Sequence, residues 1–341
     1  MEIKEYIREF TLKDVVRVRN PRVVAFGGGT GLSVILRGLK KYTNRLTAVV
    51  TVGDDGGSSG MLREDLGILP PGDIRNCILA LADDENVMQA LFNYRFEKGG
   101  LKGHSFGNLF LAAMAGITSD FYDAVKRTSD VLQITGRVFP VTLQNMILIG
   151  ELQNGHIIEG ESNIPKAARE QHSPVARITL KDGDQVEALP ETLDAIKEAD
   201  IIIFGPGSLY TSLIPHLLVG GVEETILQSR ARKFYIGNIM TQPGETIGYT
   251  QGDHIRAIEA HQKDHKHRLF DYVVVNESDL GSQVVTRYKK FGSAPVAIGE
   301  RLPDYRYICD DFAVQDLGRV RHDADLLAKR IFGNYMGEDS L

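Results

Sequence analysis

Residues 22–63 alternate short apolar runs with glycine loops, and that order leaves few folds open. Arg22-Val23-Val24-Ala25-Phe26 reads as a strand, and Gly27-Gly28-Gly29-Thr30-Gly31-Leu32-Ser33 as a loop opening a helix to Lys41. Residues 46–52 read as a second strand, closed by Asp54-Asp55-Gly56-Gly57-Ser58-Ser59-Gly60. Glycines let backbone approach a ligand closely, and a helix start leaves N–H groups and the positive dipole end facing it. The pattern points to a phosphate-bearing ligand.

Leu32 separates this loop from the best-known phosphate motifs. It stands where a dinucleotide fingerprint needs glycine and where a Walker loop needs lysine, so hydride transfer and P-loop hydrolysis lose ground. A second instance follows Asp200-Ile201-Ile202-Ile203-Phe204, where Gly205-Pro206-Gly207-Ser208-Leu209-Tyr210-Thr211-Ser212 leads into an apolar helix through Leu218. Two cradles in one chain suit the two ends of one elongated ligand.

Charge excludes some partners. A net charge of −6 gives no overall footprint for nucleic acid, and no apolar run reaches the roughly 18 residues a membrane span needs. Two cysteines without C-x-x-C spacing, Cys77 and Cys309, fit a reducing cytoplasm rather than a disulfide or zinc framework. Residues 1–20 are too charged for a signal peptide and read as a surface helix or arm.

Periodicity organises the rest. Residues 73–96 carry a helical apolar face, residues 109–116 read as a helix buried all round, and Ser119 as the cap of the next helix. From 136 to 190 the texture changes to alternating runs joined by Asn154-Gly155 and Asp182-Gly183, which predicts a small antiparallel insertion. Runs at 201–204, 234–237, 272–275 and 295–298, separated by helix-length segments, predict a doubly wound, mainly parallel sheet. The expected organisation is an α/β three-layer core formed by 21–135 with 191–335, and the insertion between them.

Candidate chemistry gathers at the strand ends. Asp54 and Asp55 stand where α/β nucleotide binders place a carboxylate against ribose hydroxyls; they also suit Mg²⁺ beside a diphosphate, or a loop cap and a solvated charge. Ser58 and Ser59 offer hydroxyls, with Arg63 the nearest cation. Asp73 reads as an N-cap, while Arg75 and Asn76 in the first turn oppose the helix dipole, a conflict that a bound anion relieves. His104, Ser105 and Asn108 form a polar cluster before a helix, either a cap or a site, and Asn238 through Thr241 to Thr246 is dense in hydrogen-bonding groups. His254, His261, His265 and His267 lack a third ligand at fixed spacing and read as a solvated helix end rather than a metal site.

Taken together, the runs from Phe26 to Gly31, Asp54 to Gly60, Pro71 to Asn76, Gly103 to Leu109, Gly205 to Ser212 and Asn238 to Thr246 resemble the YvcK branch of the CofD-like proteins, over roughly residues 22–297. The resemblance implies a Rossmann-like α/β/α core, commonly dimeric. The CofD branch is 2-phospho-L-lactate transferase, acting on a guanosine diphosphate donor. The YvcK branch, the gluconeogenesis factors, binds UDP-sugars such as UDP-N-acetylglucosamine and supports cell-wall synthesis and cell shape on gluconeogenic carbon. It implies Gly28, Gly29, Thr30 and Gly31 near the diphosphate, and Asp54 and Asp55 near the ribose, a metal or the reacting group. Asn108, Gly205, Ser208, Thr211 and Asn238 would line the same cleft, with Arg287 as the sugar-nucleotide arginine. Met61 departs from the arginine usual in that family after Gly-Ser-Ser-Gly. The expectation is a cytoplasmic, homodimeric UDP-sugar-binding regulatory protein that needs no cofactor for binding, with room for regulatory protein partners and for Mg²⁺ at Asp54 and Asp55; the alternative is a CofD-like transferase using a nucleotide-diphosphate donor with Mg²⁺.

Overall fold

The structure, a computed structural model, describes residues 12–82, 86–316 and 318–337. Of the expected arm, residues 12–19 are helical and the first eleven lie outside the described residues. Seven parallel strands form the central sheet: β1 Val23–Gly27, β2 Leu46–Val50, β3 Arg137–Pro140, β7 Ile201–Phe204, β8 Arg232–Ile236, β9 Tyr272–Asn276 and β10 Arg306–Asp310. Their spatial order is β10-β9-β8-β7-β1-β2-β3, with Val23 paired to Leu46 on one side and Ile201 on the other. The direction of winding therefore reverses between β1 and β7.

Every residue of β1, β2 and β7 is buried, which explains why these strands read as unbroken apolar runs rather than alternating ones: helices cover both faces. Phe26 and Phe204 stack across the β1–β7 seam with ring centroids 4.6 Å apart, just below the two glycine loops. The core is continuous through the sheet and its flanking helices.

A second, antiparallel sheet, β5-β4-β6, lies between β3 and β7 in the chain, with β4 Leu148–Leu152, β5 Ile157–Glu159 and β6 Val175–Leu180. Asn154-Gly155 turns β4 into β5, Gly155 taking φ 84°. Its expected start differs: residues 137–140 pair with β2 and belong to the parallel sheet. Asp182-Gly183 opens a single 3-10 turn rather than a hairpin, and Glu187 makes only an isolated bridge to Gly220. Residues 295–298 are likewise not a strand; Val296 and Ala297 bond to Ile239 and Gln251 and pin the loop after β8, while the edge strand is β10, whose partly exposed residues hide it in the sequence.

Helix boundaries shift too. The 73–96 helix is two, Gly72–Leu81 and Asn86–Asn93, and the helix Phe121–Val131 is capped by Asp120, not Ser119. The helix Phe106–Ile117 is buried on one side only, with Ile117 79% exposed. After β10 comes a hairpin absent from the sequence reading, β11 Ala313–Asp316 and β12 Arg319–His322, in which Val314 faces Arg321.

Candidate functional site

A cleft of about 430 Å³ opens at the carboxyl ends of β1 and β7, at the reversal point where open α/β sheets take ligands. Gly28, Gly29, Thr30 and Gly31 form one lip, running into the helix Gly29–Leu39, whose Gly28 N-cap position carries no side-chain bond. Pro206, Gly207 and Ser208 form the other. The lips touch: a Cβ on Gly31 would meet the Pro206 carbonyl oxygen at 2.1 Å, so only glycine fits there. Beneath them the buried His216 donates from Nε2 to the Gly27 carbonyl at 3.2 Å, and burial pushes its pKa down to about 4, leaving it neutral.

The loop after β8 braces the second lip. Asn238 Nδ2 donates to the Gly207 carbonyl at 2.9 Å, and Gln242 Nε2 donates to Ser208 Oγ at 2.7 Å. Gly205 sits buried at the strand end with φ 84°. Thr211 is buried behind the lip, its hydroxyl donating to Glu245 Oε1 at 3.1 Å, and Thr241 is turned away to accept from Ala294 N at 2.9 Å.

The aspartate pair divides. Asp54 lines the cleft and accepts from Gly56 N at 2.9 Å, whereas Asp55 turns to the insertion and accepts from Ser162 N at 2.9 Å. Arg63 does not reach the cleft; its guanidinium braces the Gly53, Asp54 and Met146 carbonyls from behind. Met61 is exposed on the helix Gly57–Leu66, near Gly103.

Asp73 corrects the capping expectation. Pro71 holds the N-cap position without a side-chain bond, and the Asp73 carboxyl instead lines the cleft and accepts from the Gly29 backbone. Burial, opposed by that bond, raises its pKa to about 6. Glu161, from the turn after β5, joins the same wall, and burial with Asp54 nearby pushes it up to about 8.

Ser58, Ser59, Arg75, Asn76, His104 and Asn108 come together beside the cleft rather than in its lining. Ser58 Oγ lies 3.1 Å from both His104 Nδ1 and Asn108 Nδ2; Arg75 donates to Ser105 Oγ, to Asn108 Oδ1 at 3.1 Å and to Asn76 Oδ1 at 2.8 Å. Ser59 Oγ accepts from Gly72 N at 3.1 Å. Side-chain oxygens thus meet the Arg75 guanidinium, the role the sequence reading gave to an anion. Burial holds its pKa below the usual value.

Arg287 lies over the Tyr288 ring at 5.7 Å and lines a separate hollow with Gln315, while Tyr288 itself faces the cleft, its hydroxyl accepting from Val320 N at 2.7 Å. The cation of the cleft among the described residues is Arg321, on β12, with Nε 3.2 Å from Asp316 Oδ2 on the partner strand. The sequence carries no motif for Arg321 or Glu161; both depend on how distant segments return to the sheet edge. The histidines divide as well. His265 and His267 are exposed, but His254 and His261 are buried, and His261 Nε2 accepts from Ile178 N of the insertion at 3.0 Å.

The fold and the site define a doubly wound α/β protein with a ligand cleft at its switch point. The family described as 2-phospho-L-lactate transferase CofD matches residues 23–313. The chain belongs to this CofD family, in its YvcK branch. It is 47% identical over 279 residues to the gluconeogenesis factor of Bacillus subtilis, covering 82% of this chain and 86% of that protein. It is 45% identical over 318 residues to the gluconeogenesis factor of Halalkalibacterium halodurans, covering 92% and 96%. The crystal structure of a UPF0052-family protein from Bacillus halodurans superposes with a TM-score of 0.86 at 45% identity, over 91% of this chain and 99% of that one.

Proposed function

We propose that this chain is a cytoplasmic regulatory protein that binds a UDP-sugar, UDP-N-acetylglucosamine above others, and supports cell-wall synthesis and cell shape on gluconeogenic carbon. The observation that carries this reading is the cleft between two glycine lips at the β1–β7 reversal. Helix starts and glycine backbone suit the paired phosphates of a nucleotide diphosphate, Arg321 adds a guanidinium, and Asp54 stands where ribose hydroxyls are read. Similarity to gluconeogenesis factors supports the link to gluconeogenic carbon.

The ligand is held rather than cleaved in this reading. Ser208, a hydroxyl in the cleft, is bonded to the Gln242 amide and not to a base, and the Asp54 and Asp55 carboxylates diverge rather than presenting a pair to Mg²⁺. Among the described residues no helix is long and apolar enough to cross a membrane. The description of the matched family favours one rival, a transferase using a nucleotide-diphosphate donor with Mg²⁺. Prolonged incubation with UDP-N-acetylglucosamine, Mg²⁺ and a panel of alcohol acceptors, followed by chromatography, separates the two: recovery of intact nucleotide sugar is expected, and release of UDP or UMP with a modified acceptor would establish turnover.

A further inference from the structure

We infer that Ser208 and Ser212 are the hydroxyl donors through which the second glycine lip holds the ligand's diphosphate, and that Gln242 is the positioning residue that aims the first of them. The inference rests on the nucleotide-diphosphate part of the reading above and not on its base or its sugar.

The backbone of the lip sorts the side chains. After Gly207 the chain enters a wide π-helical turn, Leu209–Leu213, in which the Ser208 carbonyl accepts from both Ser212 N, at 2.9 Å, and Leu213 N, at 3.0 Å. Such turns are frequent at functional sites. Residues 209–211 and 213 are buried, while Ser208 and Ser212 stay partly exposed and line the cleft. Glu245 fixes that division from behind, accepting from Tyr210 N at 3.0 Å and from Thr211 Oγ1 at 3.1 Å.

Each cleft hydroxyl keeps its proton to give. A helical serine often returns its proton to the carbonyl four residues back. For Ser212 that carbonyl is the one on Ser208, already filled by two N–H groups, and the Ser212 hydroxyl has no partner among the described residues. Ser208 Oγ accepts from Gln242 Nε2 at 2.7 Å, and an amide nitrogen can only donate. The Ser208 proton therefore points away from Gln242, and no described residue accepts it.

Ser212 also spans the seam. A Cβ on Gly28 would meet Ser212 Oγ at 2.8 Å, so a side chain of the second lip abuts the first. Asp73 Oδ2 lies 3.1 Å from the same point, and the Ser212 proton is the donor that lets an anion sit beside that carboxyl. Residues one helical turn apart stand about 5–6 Å from each other, a spacing that the oxygens of one diphosphate bridge.

The test is calorimetry on the full chain with UDP-N-acetylglucosamine, UDP and GDP. Ser208→Ala and Ser212→Ala should each weaken the nucleotides that the wild type binds by about tenfold, UDP and UDP-N-acetylglucosamine alike, with the melting temperature of Ser212→Ala unchanged. The phosphorus NMR resonances of bound UDP should move in both variants. In a Gln242→Glu background, where the carboxylate takes the Ser208 proton, adding Ser208→Ala should cost nothing further. Wild-type affinity in either alanine variant, a loss confined to UDP-N-acetylglucosamine, or an undiminished cost of Ser208→Ala in the Gln242→Glu background would overturn the inference. A wild type that binds GDP and neither uridine nucleotide would overturn the UDP-sugar reading, while losses of about tenfold for GDP in the two alanine variants would uphold the hydroxyls. Binding of none of the three nucleotides would overturn both.

Discussion

Gly31 and the Pro206 carbonyl oxygen close the seam between the two glycine lips, with room for no Cβ between them. The contact joins the loops after β1 and β7 and fixes the width of the cleft. Gly31→Ala should destabilise the protein by about 1–3 kcal/mol through overpacking against backbone that cannot give way. Urea unfolding measures this, and ligand affinity should fall in the same variant because the lips part.

Arg321 separates binding from stability. Its ion pair with Asp316 is half-exposed and worth less than about 1 kcal/mol, whereas hydrogen bonds to a charged ligand group contribute about 1.5–3 kcal/mol. Arg321→Ala should therefore weaken nucleotide-sugar binding about 10- to 100-fold with little change in melting temperature. Arg287→Ala, in the separate hollow, should leave the same affinity unchanged.

Acid sensitivity follows from the buried histidines. His216 and His322 donate to the Gly27 and Gly237 carbonyls, and burial pushes both pKa values down to about 4. Their folded values lie below the unfolded one, so the unfolded chain binds more protons between about 4 and 6.5. The stability they contribute is complete above that window and is lost as pH falls through it, by about 2 kcal/mol per histidine at pH of about 5. Asp73 and Glu161, raised rather than lowered, pull the other way, so the comparison is with a variant. His216→Gln should lose less stability than the wild type between pH of about 7 and 5, measured by denaturant titration at each pH.

The parallel sheet and its glycine lips were legible in the sequence because they depend on local order: an apolar strand, then glycines, then a helix, as at Val23–Gly27 and Ile201–Phe204. Gly28 through Gly31, Asp54, Ser208 and Asn238 could be named for that reason, and all line the cleft. Asp73 was visible but misassigned, since a carboxylate at a helix start looks like a cap whether it turns back to its own helix or across to Gly29. Glu161 and Arg321 were invisible. One comes from a turn in the antiparallel insertion and the other from a hairpin beyond the 23–313 family match, and only the closed chain brings them to the strand ends. Arg287 lies apart from the cleft for the converse reason: adjacent to Tyr288 in sequence, it leaves the helix on a different side.

Calorimetric titration of the purified chain with UDP-N-acetylglucosamine, with GDP as the comparison, tests the central claim most directly. Saturable binding of the UDP-sugar, recovered uncleaved and abolished or strongly weakened in Arg321→Ala, is the predicted result. Binding of GDP with no heat from the UDP-sugar would contradict it and turn the cleft into the donor site of a transferase.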